Sequence, residues 1–267
     1  MHGFDYFRPR SVQEAGAFSA QAADARYLAG GQSLVPALKM RLASPSALID
    51  LRGIGSLSAI HRQGESLVIG AMATHSEVGE SKEVGAAIPA LASLAMGISD
   101  RQVRNRGTIG GALANNDPAA CYPAAVLGLG ATVQTSKRSI KAKQFFTGFY
   151  QTALEPGELL TSVTFPLPER AAYVKFKNPA SHFALVGVFV SQNKGEVRCA
   201  VTGAGPGVFR ATAIEQALSK NFSLDALHGI SIAADDLSSD IHASSEYRAH
   251  LIVILARRAV TAALAQA

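Results

Sequence analysis

Two pairs of adjacent glycines, Gly30-Gly31 and Gly110-Gly111, constrain the fold of this chain more than any other feature of its sequence. The first pair stands in Leu28-Ala29-Gly30-Gly31-Gln32-Ser33-Leu34, where a short strand over 26–29 gives way to a helical turn over 34–42. Without Cβ atoms such residues let the backbone turn sharply and approach a ligand, and amides exposed at a helix start can bind phosphate oxygens. An isolated Gly-Gly is more often an ordinary strand-to-helix turn. The second pair lies in Arg106-Gly107-Thr108-Ile109-Gly110-Gly111-Ala112-Leu113-Ala114-Asn115-Asn116-Asp117-Pro118. There Thr108 can donate to a phosphate, the glycines can offer close amides, and Asp117 either accepts from a ligand hydroxyl or caps a helix opening at Pro118. Together the two bends would grip a dianionic diphosphate from opposite flanks, with charge-assisted bonds of about 1.5–3 kcal/mol each. That chemistry suits a dinucleotide.

Other readings fall away on pattern. Neither bend has the G-x-G-x-x-G spacing of a Rossmann turn, and Gly203-Ala204-Gly205-Pro206-Gly207 carries a proline and leads out of a strand. No G-x-x-x-x-G-K-[ST], H-E-x-x-H or G-x-S-x-G segment occurs, which removes the common nucleotide hydrolases, zinc proteases and serine hydrolases. Cys121 and Cys199 form no C-x-x-C pair and the histidines no ligand spacing, so no metal site is expected in this chain. His61, His75, His182 and His250 read as surface or hydrogen-bonded structural residues. The net charge of +5 fits a polyanion, an anionic cofactor or an acidic protein neighbour without choosing among them. Aromatic residues make up 7% and are not interleaved with basic ones, which argues against nucleic acid. The apolar runs 183–190 and 251–256 fall short of the roughly 20 residues of a membrane span. Charges and a proline within the first ten residues argue against a secretory signal, and a cytoplasmic address is expected.

Along the chain the pattern predicts three units. Residues 1–55 contain a helix over 11–23, opened by Ser11 and Glu14 in capping-box spacing, and strands over 26–29 and 47–51. Residues 56–170 contain a hairpin of 58–61 and 66–69 around Gln63-Gly64-Glu65, helices opening at Ser76 and Pro89, a helix over 118–129, and strands over 131–135 and 159–165. Arg101, Arg104 and Arg106 read as solvated or subunit-facing surface. After Pro166 and Pro168 come three β-rich runs, 173–176, 183–192 and 196–202, and then helices near Ala211, Leu224 and Ser245; this third unit covers 171–267.

At its two bends the chain resembles the FAD-binding medium subunit of the molybdenum hydroxylases, the carbon monoxide dehydrogenase and xanthine dehydrogenase family. Ala29-Gly30-Gly31-Gln32-Ser33 is similar to the family's first FAD motif and Thr108-Ile109-Gly110-Gly111 to its second, while Lys175-Phe176-Lys177 and Val201-Thr202-Gly203 recur in its C-terminal domain. The resemblance implies an α+β protein: a two-subdomain FAD-binding fold of the vanillyl-alcohol-oxidase (PCMH) type, then a C-terminal α+β domain with a small antiparallel sheet. It implies that Leu28, Ala29, Gly30, Gly31, Gln32, Ser33 and Leu34, with Thr108, Ile109, Gly110, Gly111 and Ala112, bind the FAD diphosphate and ribityl region, and that Asp117 adjoins them. Ile98 and Leu160 fall where the family sandwiches adenine, and Lys177 where a lysine approaches the flavin. Phe183, in the segment that passes the isoalloxazine in relatives, reads as core. Cys121 stands where the family commonly has Asp, and Ala112 where it has Ser or Asn.

The same resemblance implies a heterotrimer, duplicated, with a small [2Fe-2S] subunit and a large subunit carrying the molybdenum cofactor. This chain would take electrons from the iron-sulfur subunit and pass them to an external acceptor, with no catalytic acid or base of its own. Two rivals stay open: a stand-alone flavoprotein of the same fold acting on its own small substrate, and a non-catalytic nucleotide-binding regulator.

Overall fold

The computed structural model describes residues 1–22 and 24–265. Ala23, the expected end of the first helix, lies outside the described residues. The helix itself spans Val12–Gln21. Ser11 Oγ accepts the Glu14 amide at 3.1 Å, and the Glu14 carboxylate accepts the amide of Arg10, one residue before the cap. Three parallel strands follow the order β1–β3–β2: β1 (Asp5–Phe7), β2 (Arg26–Leu28) and β3 (Ala47–Asp50). Ala15, Ile49, Leu51 and Leu57 bury the helix against this sheet. Asp50 ends β3 fully buried and accepts from the Tyr6 hydroxyl and from Arg52. Burial raises its carboxyl pKa, but the hydrogen bonds from Arg52 and Tyr6 outweigh this and bring it down to about 2.

The second sheet has five antiparallel strands in the order β4–β5–β10–β6–β7. These are β4 (Ile60–Gln63), β5 (Ser66–Gly70), β6 (Thr132–Thr135) and β7 (Ser139–Lys141); β8 (Phe146–Gly148) and β9 (Gln151–Thr152) form a separate hairpin before β10 (Leu160–Pro166). Gln63 pairs with Ser66 across a two-residue turn, and Gly64 takes the positive φ of 57° that its first central position requires. Helices His75–Glu80, Lys82–Ala87 and Pro89–Met96 share this sheet's hydrophobic core through Val78, Val84 and Leu91; the second packs against β4 and the third against Arg170–Lys177 of the next sheet. The first opens one residue earlier than expected because Thr74, not Ser76, sets its start: Thr74 and Glu77 exchange both bonds of a capping box.

The third sheet, in the order β11–β12–β13–β14, is antiparallel: β11 (Arg170–Lys177), β12 (Ala184–Asn193), β13 (Glu196–Thr202) and β14 (Phe209–Arg210). Helix Ser245–Leu264 buries Leu251, Ile252, Leu255 and Ala259 against it. The expected helix near Leu224 is only a 3-10 turn, Asp225–Leu227. Helix Tyr122–Gly128, with every residue buried, packs against β12 and β13 and joins the second and third sheets. This corrects the expected helix over 118–129. Asp117 Oδ1 accepts the Ala119 amide at 2.9 Å in a separate turn, whose Pro118 and Ala120 carbonyls accept from Thr202 and Gly203, and the helix begins only at Tyr122. Among the described residues no helix is long and apolar enough to cross a membrane.

Candidate cofactor site

A cavity of about 600 Å³ opens where the three sheets meet. The size lies within the range of small-molecule and cofactor pockets. Its walls take in both glycine bends, Ile98 and Leu160, the segment Asp117–Cys121, and, from the third sheet, Lys175 and the loop Ser181–Phe183.

The two bends do different jobs. In the first, none of the backbone N–H groups of Gly30, Gly31, Gln32 and Ser33 meets an acceptor among the described residues. Gly31 has φ +76°, a left-handed conformation that glycine adopts without strain. In the second, Thr108 caps helix Ile109–Asn115, so Gly110 and Gly111 lie in a first helical turn. Its amides are already used: Ile109 donates to Ala73 O at 3.0 Å, Gly110 to Ala71 O at 2.8 Å and Gly111 to Thr108 Oγ1 at 3.1 Å. The expectation that both pairs present amides to a diphosphate is therefore corrected for the second. Its glycines serve contact instead: a Cβ on Gly110 would come within 2.5 Å of Ala71 Cβ. The two bends touch: a Cβ on Gly30 would lie 2.0 Å from the Arg106 carbonyl oxygen.

Thirteen of the sixteen expected site residues line the cavity; Leu28, Ile109 and Lys177 do not. Ile109 is fully buried in the core. Lys177, the last residue of β11, is exposed, and Lys175, two residues earlier on the same strand, lines the cavity in its place. Lys175 Nζ donates to Gly97 O at 2.8 Å and His182 O at 3.0 Å and lies 3.5 Å from Cys121 Sγ. All three partners are uncharged, so the ammonium charge stands in the cavity wall without a carboxylate. Phe183, expected in the core, is instead 48% exposed at the cavity edge, because β12 starts only at Ala184.

Among the wall residues that the sequence reading did not place at the site are His75, Tyr122 and Glu158. The Thr74-to-Glu77 capping spacing was the available signal for the first, since it puts His75 at the start of a helix. His75 is buried, its Nδ1 has no partner, and its ring centroid lies 5.3 Å from that of Tyr122. Burial, aided by the positive charge of Arg104, brings its pKa down to about 4, so the imidazole is neutral at physiological pH. Glu158 is tied to Arg138 and accepts from Thr135 Oγ1 at 2.6 Å; burial opposes its ionisation, yet these bonds bring its pKa down to about 2. Asp117 Oδ2 accepts from the Tyr150 hydroxyl, whose own pKa is pushed up to about 12 by burial and by the Asp117 charge.

These features fit FAD. Unengaged amides at one bend suit a diphosphate, Ile98 and Leu160 offer apolar surface to a ring system, and an uncompensated ammonium suits an anionic ligand. A family described as the FAD binding domain in molybdopterin dehydrogenase matches residues 2–168. The carbon monoxide dehydrogenase medium chain of Afipia carboxidovorans is 36% identical, covering 99% of this chain and 98% of that one. The nicotine 6-hydroxylase medium subunit of Paenarthrobacter nicotinovorans is 35% identical, covering 97% and 96%. The crystal structure of quinoline 2-oxidoreductase from Pseudomonas putida 86 superposes with a TM-score of 0.89 at 32% identity, covering 99% of this chain and 98% of its match. Matched along almost its whole length by such relatives, the chain belongs to the family of FAD-binding medium subunits of the molybdenum hydroxylases.

Proposed function

We propose that this chain holds FAD in the cavity between its three sheets and acts as the electron-transfer subunit of a molybdenum hydroxylase complex. The observation that carries the reading is the row of unengaged amides from Gly30 to Ser33, set beside the Lys175 ammonium in one cavity. In this assignment Gly30, Gly31, Gln32 and Ser33 bind the diphosphate, and Thr108, Gly110, Gly111 and Ala112 shape the floor on which it rests. Ala29 and Leu34 flank that bend. Ile98 and Leu160 pack against ring surface, Asp117 and Cys121 form a side wall, and Lys175 places a positive charge beside the cofactor. When bound, FAD supplies a redox centre that the protein has only to hold, orient and tune.

In the assembly we propose, a small [2Fe-2S] subunit delivers electrons drawn from a large molybdenum-cofactor subunit, this subunit passes them to an external acceptor, and two heterotrimers pair. The unit boundaries near 55 and 170 belong to the same proposal. Two of the relatives are named as medium chain or medium subunit, which favours a subunit over a stand-alone flavoprotein. The test is flavin titration of the purified full chain, followed by flavin fluorescence. FAD binds one per chain, Lys175→Met weakens it about tenfold, equivalent to 1.4 kcal/mol, and Lys177→Met leaves it unchanged. A chain that never takes up FAD contradicts the reading. So does equal loss from both lysine variants, and copurification without iron-sulfur and molybdenum subunits contradicts the proposed assembly.

A further inference from the structure

We infer that Thr202, at the end of β13 in the third sheet, is a positioning residue for the cofactor cavity, fixing the segment 117–121 that forms one of its walls. The inference rests on the reading of that cavity as the FAD site. Asp117, Ala119, Ala120 and Cys121 all line the cavity, yet their segment is neither strand nor helix. Its own bonds are few: the Asp117 carboxylate and carbonyl accept the Ala119 and Ala120 amides, each at 2.9 Å. Such a turn has several conformations of similar energy unless something outside it selects one.

Thr202 supplies that selection. Its side-chain oxygen lies 2.8 Å from Pro118 O and 2.7 Å from Ala120 O, so one hydroxyl proton is shared between two carbonyls of the turn. The next residue adds a backbone bond, Gly203 N to Pro118 O at 2.8 Å. Thr202 is fully buried, so water cannot take over either carbonyl without opening the contact. The corner that presents the hydroxyl is itself locked from behind. Gly203 has φ +80°, and a Cβ there would meet Ala184 O at 2.4 Å. Arg248, 3% exposed on the last helix, donates through Nη1 to Gly203 O at 2.7 Å and Leu185 O at 2.8 Å, and through Nη2 to Asp240 at 2.7 Å. Lys175 reaches the far end of the same segment at Cys121. The third sheet therefore fastens both ends of a wall whose own residues belong to the span 2–168 matched by the FAD-binding family.

The experiment compares the full-length protein with Thr202→Val, which keeps the shape and removes the hydroxyl, Thr202→Ala as a less bulky deletion, and Thr202→Ser, which keeps the hydroxyl. Two readouts are taken: the FAD dissociation constant, and the visible circular dichroism of bound flavin, which reports how the ring is seated. The expected result is about a tenfold weaker constant and an altered flavin dichroism for Val and Ala, with Ser within about twofold of the unmodified chain in both. Should Val fail to fold, Ala and Ser carry the comparison. Unchanged FAD affinity and dichroism in the hydroxyl-free variants overturn the inference, as does a Ser variant as impaired as Ala. An unmodified chain that binds no FAD overturns instead the reading on which the inference rests.

Discussion

His75 shows how much one buried side chain adds to the behaviour of this protein. Its imidazole sits in the cavity wall with its pKa brought down to about 4, against about 6.5 in an unfolded chain. Between those values the unfolded state binds a proton that the folded state refuses, so stability rises with pH across the window and is lost as pH falls from about 6.5 towards 4. The full linkage amounts to about 3 kcal/mol. Denaturant midpoints of the FAD-free protein measured over that range should fall with acidity, and His75→Gln should flatten most of the slope. A slope that survives the substitution, or no slope in the unmodified chain, contradicts the burial argument. The two lysines of Lys175-Phe176-Lys177 make the complementary point. Alternation along a strand puts both on one face, yet only Lys175 lines the cavity, while Lys177 stands exposed at the very end of β11.

The two glycine bends work as elements because they touch. Gly30 accepts the Arg106 carbonyl against its Cα, so Gly30→Ala must force the bends apart. The expected outcome is a loss of FAD affinity of about a hundredfold or more together with a lower melting temperature. Gly85, exposed in helix Lys82–Ala87 with nothing near a would-be Cβ, is the control: Gly85→Ala should leave FAD binding alone and stabilise by about 0.5–1 kcal/mol. Equal effects from the two substitutions contradict the packing role. Local signals in the sequence were enough for the elements that local chemistry decides, such as the Gly64 hairpin, the Pro89 helix and the start of the first helix at Ser11. They misled at Pro118, where Asp-Pro-Ala-Ala reads as a helix start. There the decisive partners are Thr202 and Gly203, more than eighty positions away in the chain, which draw the Pro118 and Ala120 carbonyls into a turn. The second bend misled in another way. Its glycines were visible, but not that Ala71, Ala73 and Thr108 already use its amides.

At the scale of the whole molecule, three sheets converge on one cavity, and each contributes something the others lack. The parallel sheet brings the unengaged amides, the five-stranded sheet brings the apolar surface at Leu160, and the third sheet brings Lys175 and the bonds that hold the Asp117–Cys121 wall. The family resemblance was legible in the two glycine motifs and in Lys175-Phe176-Lys177 and Val201-Thr202-Gly203, while the completed site was not: only the folded chain shows that Lys175 lines the cavity and that Thr202 bonds the Pro118 and Ala120 carbonyls. The most direct test of the account is a crystal structure of the full chain with FAD. Diphosphate oxygens should lie about 2.7–3.2 Å from backbone N–H groups between Gly30 and Ser33, with the Gly110 and Gly111 amides still bonded within the protein. A diphosphate bound elsewhere, with the Gly30–Ser33 amides making no contact to it, would contradict the account.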